Sequence, residues 1–325
     1  MNRRHAILAL AALSAPLRLT AQPASGAPRI GVLIGGTTES SGQLVQAFIK
    51  GMAELGYQDG KNVRYELRYG DGSSEKVQTN ARELVAAKVD VIWAPAAAAV
   101  VAAQKATASL PIVFALPADP VASGFVRSLP QPGTNATGIT TMTAEMGAKR
   151  IEILNETFPK LKRIGVLHNP SDSGSATQLP SVQQGARALG KELMVAEARA
   201  PEEFAAAFAK LAAWRANALV MVESTLYFFH RKTLLISAAM HRWPTITNSK
   251  EYAEAGGILA YGTDYADNCR RSADYVDKIL KGAKPADLPV QQPTRFEFTI
   301  NLKAAKAMGL SIPQAMLLRA DRVIE

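Results

Sequence analysis

The chain has 325 residues, 48% of them apolar, a length and composition that fit two ordinary globular domains and exclude a disordered chain. Its formal charge is +9, but no long Lys/Arg run exists. The densest cluster, "KLKR" at 160–163, reads as a solvated turn, so nucleic acid is not an expected partner. A single cysteine, Cys269, excludes an internal disulfide.

The chain opens with "MNRRH", a basic stretch, and "AILALAALSAPL", an apolar run too short to span a bilayer. "LTAQPASGAP" follows, with Ala21 as the expected cleavage point. Residues 1–21 are therefore expected to be an export signal, and Arg3-Arg4 leaves Sec or twin-arginine export open. The expected product is a soluble exported protein.

From residue 29 the elements alternate. "RIGVLI" (29–34) reads as a strand. "SGQLVQAFIKGMAELGY" reads as a helix, with Leu44, Phe48, Met52 and Leu55 on one face and Gly56 as its stop. Next come a strand at 62–69, a helix at 73–88, a strand at 89–94, a helix from Ala96 and the strand "PIVFAL" (111–116). This repeated β-α-β order predicts a parallel sheet covered by helices. "SLPQPGTNATGITTMT" is rich in Pro, Gly and Thr and suits a connection.

The pattern then restarts. A helix at 147–158 leads to "KRIGVLHN" (162–169), whose "RIGVL" repeats the first strand. A helix, "ELMVAEA", a helix at 201–214, "NALVMVE" and a single helix at 225–241 come next. "WPTITN" and "GGILAYGTDY" are extended, and 265–282 is a helix whose apolar face includes Cys269, most simply a core residue. The last residues predict an extended stretch and a short helix. The fold class is therefore α/β, with two similar lobes of mainly parallel sheet.

Familiar catalytic signatures are missing. "GVLIGGTTESSG" lacks G-x-G-x-x-G, and there is no phosphate loop, G-x-S-x-G elbow or H-E-x-x-H. No Cys/His cluster suggests a metal, and no cofactor is expected. The expectation is a protein that is not an enzyme. An exported enzyme using Asp119, Glu223 or His168 stays open as an alternative, as does a ligand-binding sensor subunit.

In open parallel sheets ligands bind beyond the carboxyl ends of the strands. Those ends present Thr38 and Ser40, Ala96 and Ala97, Asp119 between Pro117 and Pro120, Asn169, Ser224 and Thr225, Asn248, and Asp264. These are the candidate ligand-binding residues. Asp172, Glu223 and Tyr265 lie in the same loops, and Tyr227 and Phe228 begin the helix after "NALVMVE", where one of them is a candidate for stacking on an apolar ligand part and core packing is the alternative. Ser, Thr, Asp and Asn also favour helix N-caps, so each polar residue has a capping role as its alternative. Together, hydroxyls and free helix amides suit a small polar ligand with a carboxylate, and Asp119, Glu223 and Asp264 suit an amine.

Three blocks carry a resemblance to a known family: "VDVIWAPAAAAVVAAQKATASLPIVFALPADPVASGFVRSLPQPGTNATGIT", "RIGVLHNP" and "YVDKILKGAKPADLPVQQPTRFEFTINLKAAKAMGLSIPQAMLLRADRVIE". They resemble the tryptophan/tyrosine-type branch of the ABC-transporter substrate-binding proteins. The resemblance implies a type I periplasmic-binding fold, two Rossmann-like lobes with crossovers near 138–143, 261–265 and 290–296, and a periplasmic location. It implies a first lobe of 28–140 plus 264–291 and a second of 141–263 plus 292–325. It further implies a monomeric receptor for an amino-acid-like, carboxylate or amide ligand, working with an inner-membrane ABC permease. Two places depart from the family's pattern. "APAAAA" lacks the Thr or Ser common there, and Ser224-Thr225-Leu226 replaces a Thr-Asp-Asn-like run.

Overall fold

Residues 26–142, 145–293 and 296–325 are described by the structure, a computed structural model. The expected export signal at 1–21 lies outside the described residues, as do residue 143 of the first expected crossover and residues 294–295 of the third.

The first sheet comprises β1 (Arg29–Ile34), β2 (Arg64–Tyr69), β3 (Val91–Trp93), β4 (Ile112–Phe114) and β5 (Ala136–Gly138). Helices α1 (Thr38–Glu54), α2 (Ser74–Ala86) and α3 (Ala97–Ala106) connect the first four strands. The order is β2-β1-β3-β4-β5, parallel throughout. β1 is buried from Ile30 onward, as a strand covered on both faces must be, and its apolar run shows it. β5 sits inside the segment expected to be only a connection. At three residues it is too short to show a strand pattern.

The second half supplies α4 (Gly147–Thr157), β6 (Arg163–His168), α5 (Ser173–Ala188), β7 (Glu192–Glu197), α6 (Phe204–Ala213) and β8 (Ala218–Met221). α7 (Thr225–Phe229), α8 (Arg231–Met240), β9 (Thr245–Thr247), α9 (Lys250–Glu254) and β10 (Leu259–Gly262) follow. The chain ends with α10 (Tyr265–Leu280), β11 (Glu297–Asn301), α11 (Leu302–Ala307), α12 (Gln314–Arg319) and β12 (Arg322–Ile324). Their sheet runs β12-β11-β10-β9-β8-β6-β7. Its β7-β6-β8-β9-β10 portion repeats the strand order of the first sheet, as the repeated "RIGVL" suggests.

The expected α/β class with two mainly parallel sheets holds; β11 runs antiparallel to β10, because it enters from the other lobe rather than through a β-α-β crossover. One expectation is corrected. The expected single helix at 225–241 is two helices with a break at His230 (φ −98°, ψ 16°). Its "LYFFH" stretch is poor in strong helix formers, so tertiary packing decides its path.

The chain passes between the sheets after β5, after β10 and before β11. After the second passage α10 lies on α1 of the first sheet. The two helices approach so closely that a Cβ on Gly51 would stand 2.1 Å from the Arg270 carbonyl oxygen. Below them Trp93 stacks on Phe48 with centroids 4.2 Å apart and donates its indole N–H to Ser272 Oγ at 2.8 Å. Cys269 is fully buried among these residues, and burial pushes its thiol pKa well up, so it is a core residue.

Candidate functional site

Each sheet reverses its strand order once, between β1 and β3 and between β6 and β8. Ligands of open α/β sheets bind at such points. Here the two points face one another. An inner cavity takes Gly35, Pro95, Ala96 and Ala97 from the first, and Asp172, Glu223, Ser224 and Thr225 from the second. Ser41, Leu44 and Leu116 add to the first wall, Phe228, Asn248 and Tyr252 to the other, and Tyr265 lines the cavity from the start of α10, just after the second passage between the sheets. An outer chamber of about 350 Å³ shares Gly35, Ala97, Asp172, Thr225 and Phe229 with the inner cavity and reaches Asn169, Lys105 and Arg199.

The candidate residues divide by what already occupies them. Thr37, not Thr38, caps α1: the Ser40 amide donates to Thr37 Oγ1 at 3.1 Å and the Thr37 amide to Ser40 Oγ at 3.0 Å. Ser40 is thus engaged in a capping box, Thr38 is exposed, and neither lines the cavity. Ser41, read from the sequence only as the start of a helix, is the hydroxyl that does, at 2% exposure. Asp119 also lies outside the lining. Its Oδ1 accepts from the amides of Val121 (3.0 Å) and Ala122 (2.9 Å), the capping alternative for that carboxylate. Asp264 caps α10 by accepting from the Asp267 amide at 3.1 Å and pairs with Lys250.

Ala96 and Ala97 do line the cavity. Ala96 is the N-cap of α3 and makes no side-chain cap, so the first-turn amides of that ten-residue helix face the cleft with its positive dipole end. Across from them, Asn169 Nδ2 donates to Ser224 Oγ (3.2 Å), which donates to Asp172 Oδ2 (3.2 Å). Asp172 also accepts from the amides of Thr225 (2.8 Å) and Gly174 (3.0 Å). Burial pushes the Asp172 pKa up against those hydrogen bonds. The group ties the loops of the second sheet together.

Asn248 differs. It is 2% exposed, and its Nδ2 donates to Glu223 Oε2 at 3.1 Å and to Tyr265 Oη at 2.6 Å. Both amide hydrogens are therefore used. Flipping the amide would set its oxygen against a carboxylate. Its Oδ1 is buried on the cavity wall and has no partner among the described residues. A buried acceptor in that position asks for a donor.

The two lobes also meet directly. The Phe229 ring lies on Gly35 and Gly36, Lys232 pairs with Glu39 at 3.0 Å, and Arg231 reaches the Ser40 carbonyl at 3.4 Å. Tyr252 escaped the sequence reading because the five-residue α9 that carries it shows no periodicity. His168 is buried, has no hydrogen-bond partner for either ring nitrogen among the described residues, and does not line the cavity. Burial lowers its pKa. Among the described residues no His/Cys/Asp/Glu group is arranged to hold a metal ion, and no helix is long and apolar enough to cross a membrane.

Comparison with known proteins agrees with this geometry. The chain is 26% identical over 279 residues, 85% of its length and 80% of the other's, to a tyrosine-binding protein of Clostridioides difficile. A Streptococcus pneumoniae ABC domain solved in complex with L-Trp superposes with a TM-score of 0.85 at 26% identity, covering 92% of this chain and all of that one. A conserved domain protein of Vibrio cholerae gives 0.86 at 27% identity with the same coverage. The family model for ABC transporter substrate binding proteins matches residues 29–324. With two lobes of repeated topology closing on a cavity at both switch points, the chain belongs to the family of ABC transporter substrate binding proteins.

Proposed function

We propose that the protein is the periplasmic receptor of an ABC importer and that its ligand is an amino acid with an apolar, aromatic-sized side chain. Members of the family are substrate-binding proteins that work with an ABC permease outside the cytoplasm. The export signal read at residues 1–21 and the lobe limits of 28–140 plus 264–291 and 141–263 plus 292–325 belong to this proposal. So do a monomeric state, the absence of a nucleic-acid partner and the absence of turnover.

One observation carries the ligand class: Asn248 Oδ1, buried, unpartnered and beside the Glu223 carboxylate on the cavity wall. An ammonium group satisfies the Asn248 acceptor and gains from the neighbouring carboxylate charge. The uncapped amides of α3 and the Ser41 hydroxyl on the opposite lobe suit the carboxylate of the same molecule. Phe228, Tyr252, Leu44 and Leu116 supply apolar surface for its side chain. A zwitterion held this way touches both lobes, so it binds the closed form more tightly than the open one and shifts the population toward it. The Trp complex of the pneumococcal protein and the name of the clostridial one support an aromatic amino acid.

Isothermal titration with L-tryptophan, L-tyrosine and a panel of other amino acids tests this reading. Saturable one-to-one binding is expected, with the ligand recovered chemically unchanged. A compound consumed on incubation would restore the enzyme alternative. No binding across the panel would overturn the ligand class.

A further inference from the structure

The wall of the inner cavity carries two carboxylates, Asp172 and Glu223, and no lysine, arginine or histidine. A ligand amine gains from that arrangement. A ligand carboxylate is repelled by it, unless positive charge stands close behind the wall. The amide dipoles of α3 help only at their own end of the cavity.

Two guanidinium groups that do not line the cavity are held by residues next to it in structure or sequence. Arg231 lies over the Phe228 ring at 4.4 Å and donates Nη1 to the Phe228 carbonyl at 2.7 Å. Arg150, in the first turn of α4, is placed differently. It is 1% exposed and its Nε donates to the Tyr261 carbonyl at 2.8 Å. Both of its terminal nitrogens are buried without a hydrogen-bond partner among the described residues. The groups that act on its charge are Glu223, Tyr265, Tyr261 and Tyr252, and all but Tyr261 line the cavity. Burial pulls its pKa down to about 10, which leaves it charged at neutral pH. A fully buried cation with unfilled donors is costly and calls for a role.

We propose that Arg150 determines specificity. Its buried charge, anchored on the Tyr261 carbonyl, offsets the wall carboxylates and so lets a zwitterionic amino acid enter where the corresponding simple amine would otherwise be preferred. This inference rests on the amino-acid reading above.

The test compares L-tryptophan with tryptamine, and L-tyrosine with tyramine, by titration calorimetry on the wild type, Arg150→Met and Arg150→Lys. The readout is the ratio of amine Kd to amino-acid Kd, taken within each variant, so partial loss of folded protein drops out. Arg150→Met is expected to lower the ratio about tenfold or more, with Arg150→Lys holding it near the wild-type value. Arg150→Gln makes the same comparison where Arg150→Met does not fold. An unchanged ratio in the neutral variant, or an equal fall in Arg150→Lys, overturns the proposal while leaving the amino-acid reading in place. Wild-type protein that binds neither pair overturns both.

Discussion

The ring of Phe229 occupies the space a side chain on Gly36 would need: a Cβ there would stand 2.3 Å from Phe229 Cδ1 and 2.6 Å from Ser40 Oγ. Phe229 belongs to one lobe and Gly36 to the other, so this overlap arises only when the lobes are together. Gly36→Ala is therefore expected to obstruct closure and weaken ligand binding about tenfold or more. Small-angle scattering should show the variant remaining open at ligand concentrations that close the wild type. Phe229→Ala in the same chain should recover part of the loss, because the two residues are in contact and their effects couple.

Asp119 offers the opposite case. Its carboxylate holds two backbone amides and stays out of the cavity. Asp119→Ala should lower stability by about 1 kcal/mol, the usual worth of a cap, and leave the ligand Kd unchanged within error. Thermal unfolding and calorimetry on the same preparation check both halves.

That contrast shows what the sequence can reveal. "RIGVLI" and "RIGVLH" announce two buried parallel strands, because a strand covered on both faces must be apolar throughout. The loops beyond them follow from topology alone. So Ala96, Ala97, Ser224, Thr225 and Asn248 are found both at the strand ends and on the cavity wall. Asp119, Ser40 and Asp264 are equally polar and equally placed in sequence, yet they cap local backbone. Residue type does not separate the two roles, since a cap and a ligand contact use the same acceptor. Arg150 sits in the first turn of α4 and Tyr252 on a five-residue helix, where no strand end points to them.

Acid should loosen the second crossover. Burial tends to raise the Asp264 pKa, but the hydrogen bond from Lys250 and the amides of Asp267 and Ala266 outweigh it, and the net direction is downward. A carboxyl whose pKa is depressed on folding stabilises the protein above its unfolded value, about 3.9, and that contribution fades as pH falls through the folded value. Asp264→Asn should thus be less stable than wild type at pH 7. The difference should shrink progressively below about pH 4. Denaturant melts from pH 7 to pH 3 measure it.

The packing of α10 on α1 depends on Gly51. With the Arg270 carbonyl 2.1 Å from the position of an added Cβ, Gly51→Ala must push backbone from backbone. A loss of about 1–3 kcal/mol is expected, typical of overpacking. The ligand cavity is lined by neither residue, so affinity per folded molecule should hold.

The most direct test of the account is the titration of L-tryptophan into wild-type protein and into Glu223→Gln. The substitution keeps the shape and an acceptor for Asn248 but removes the charge that receives the ammonium. A charge-assisted hydrogen bond is worth about 1.5–3 kcal/mol, so the account predicts tight one-to-one binding to the wild type, weakened roughly ten- to a hundredfold in the variant. Equal affinity in the two proteins would contradict it, because the ligand would then be held without the amine site on which the reading depends.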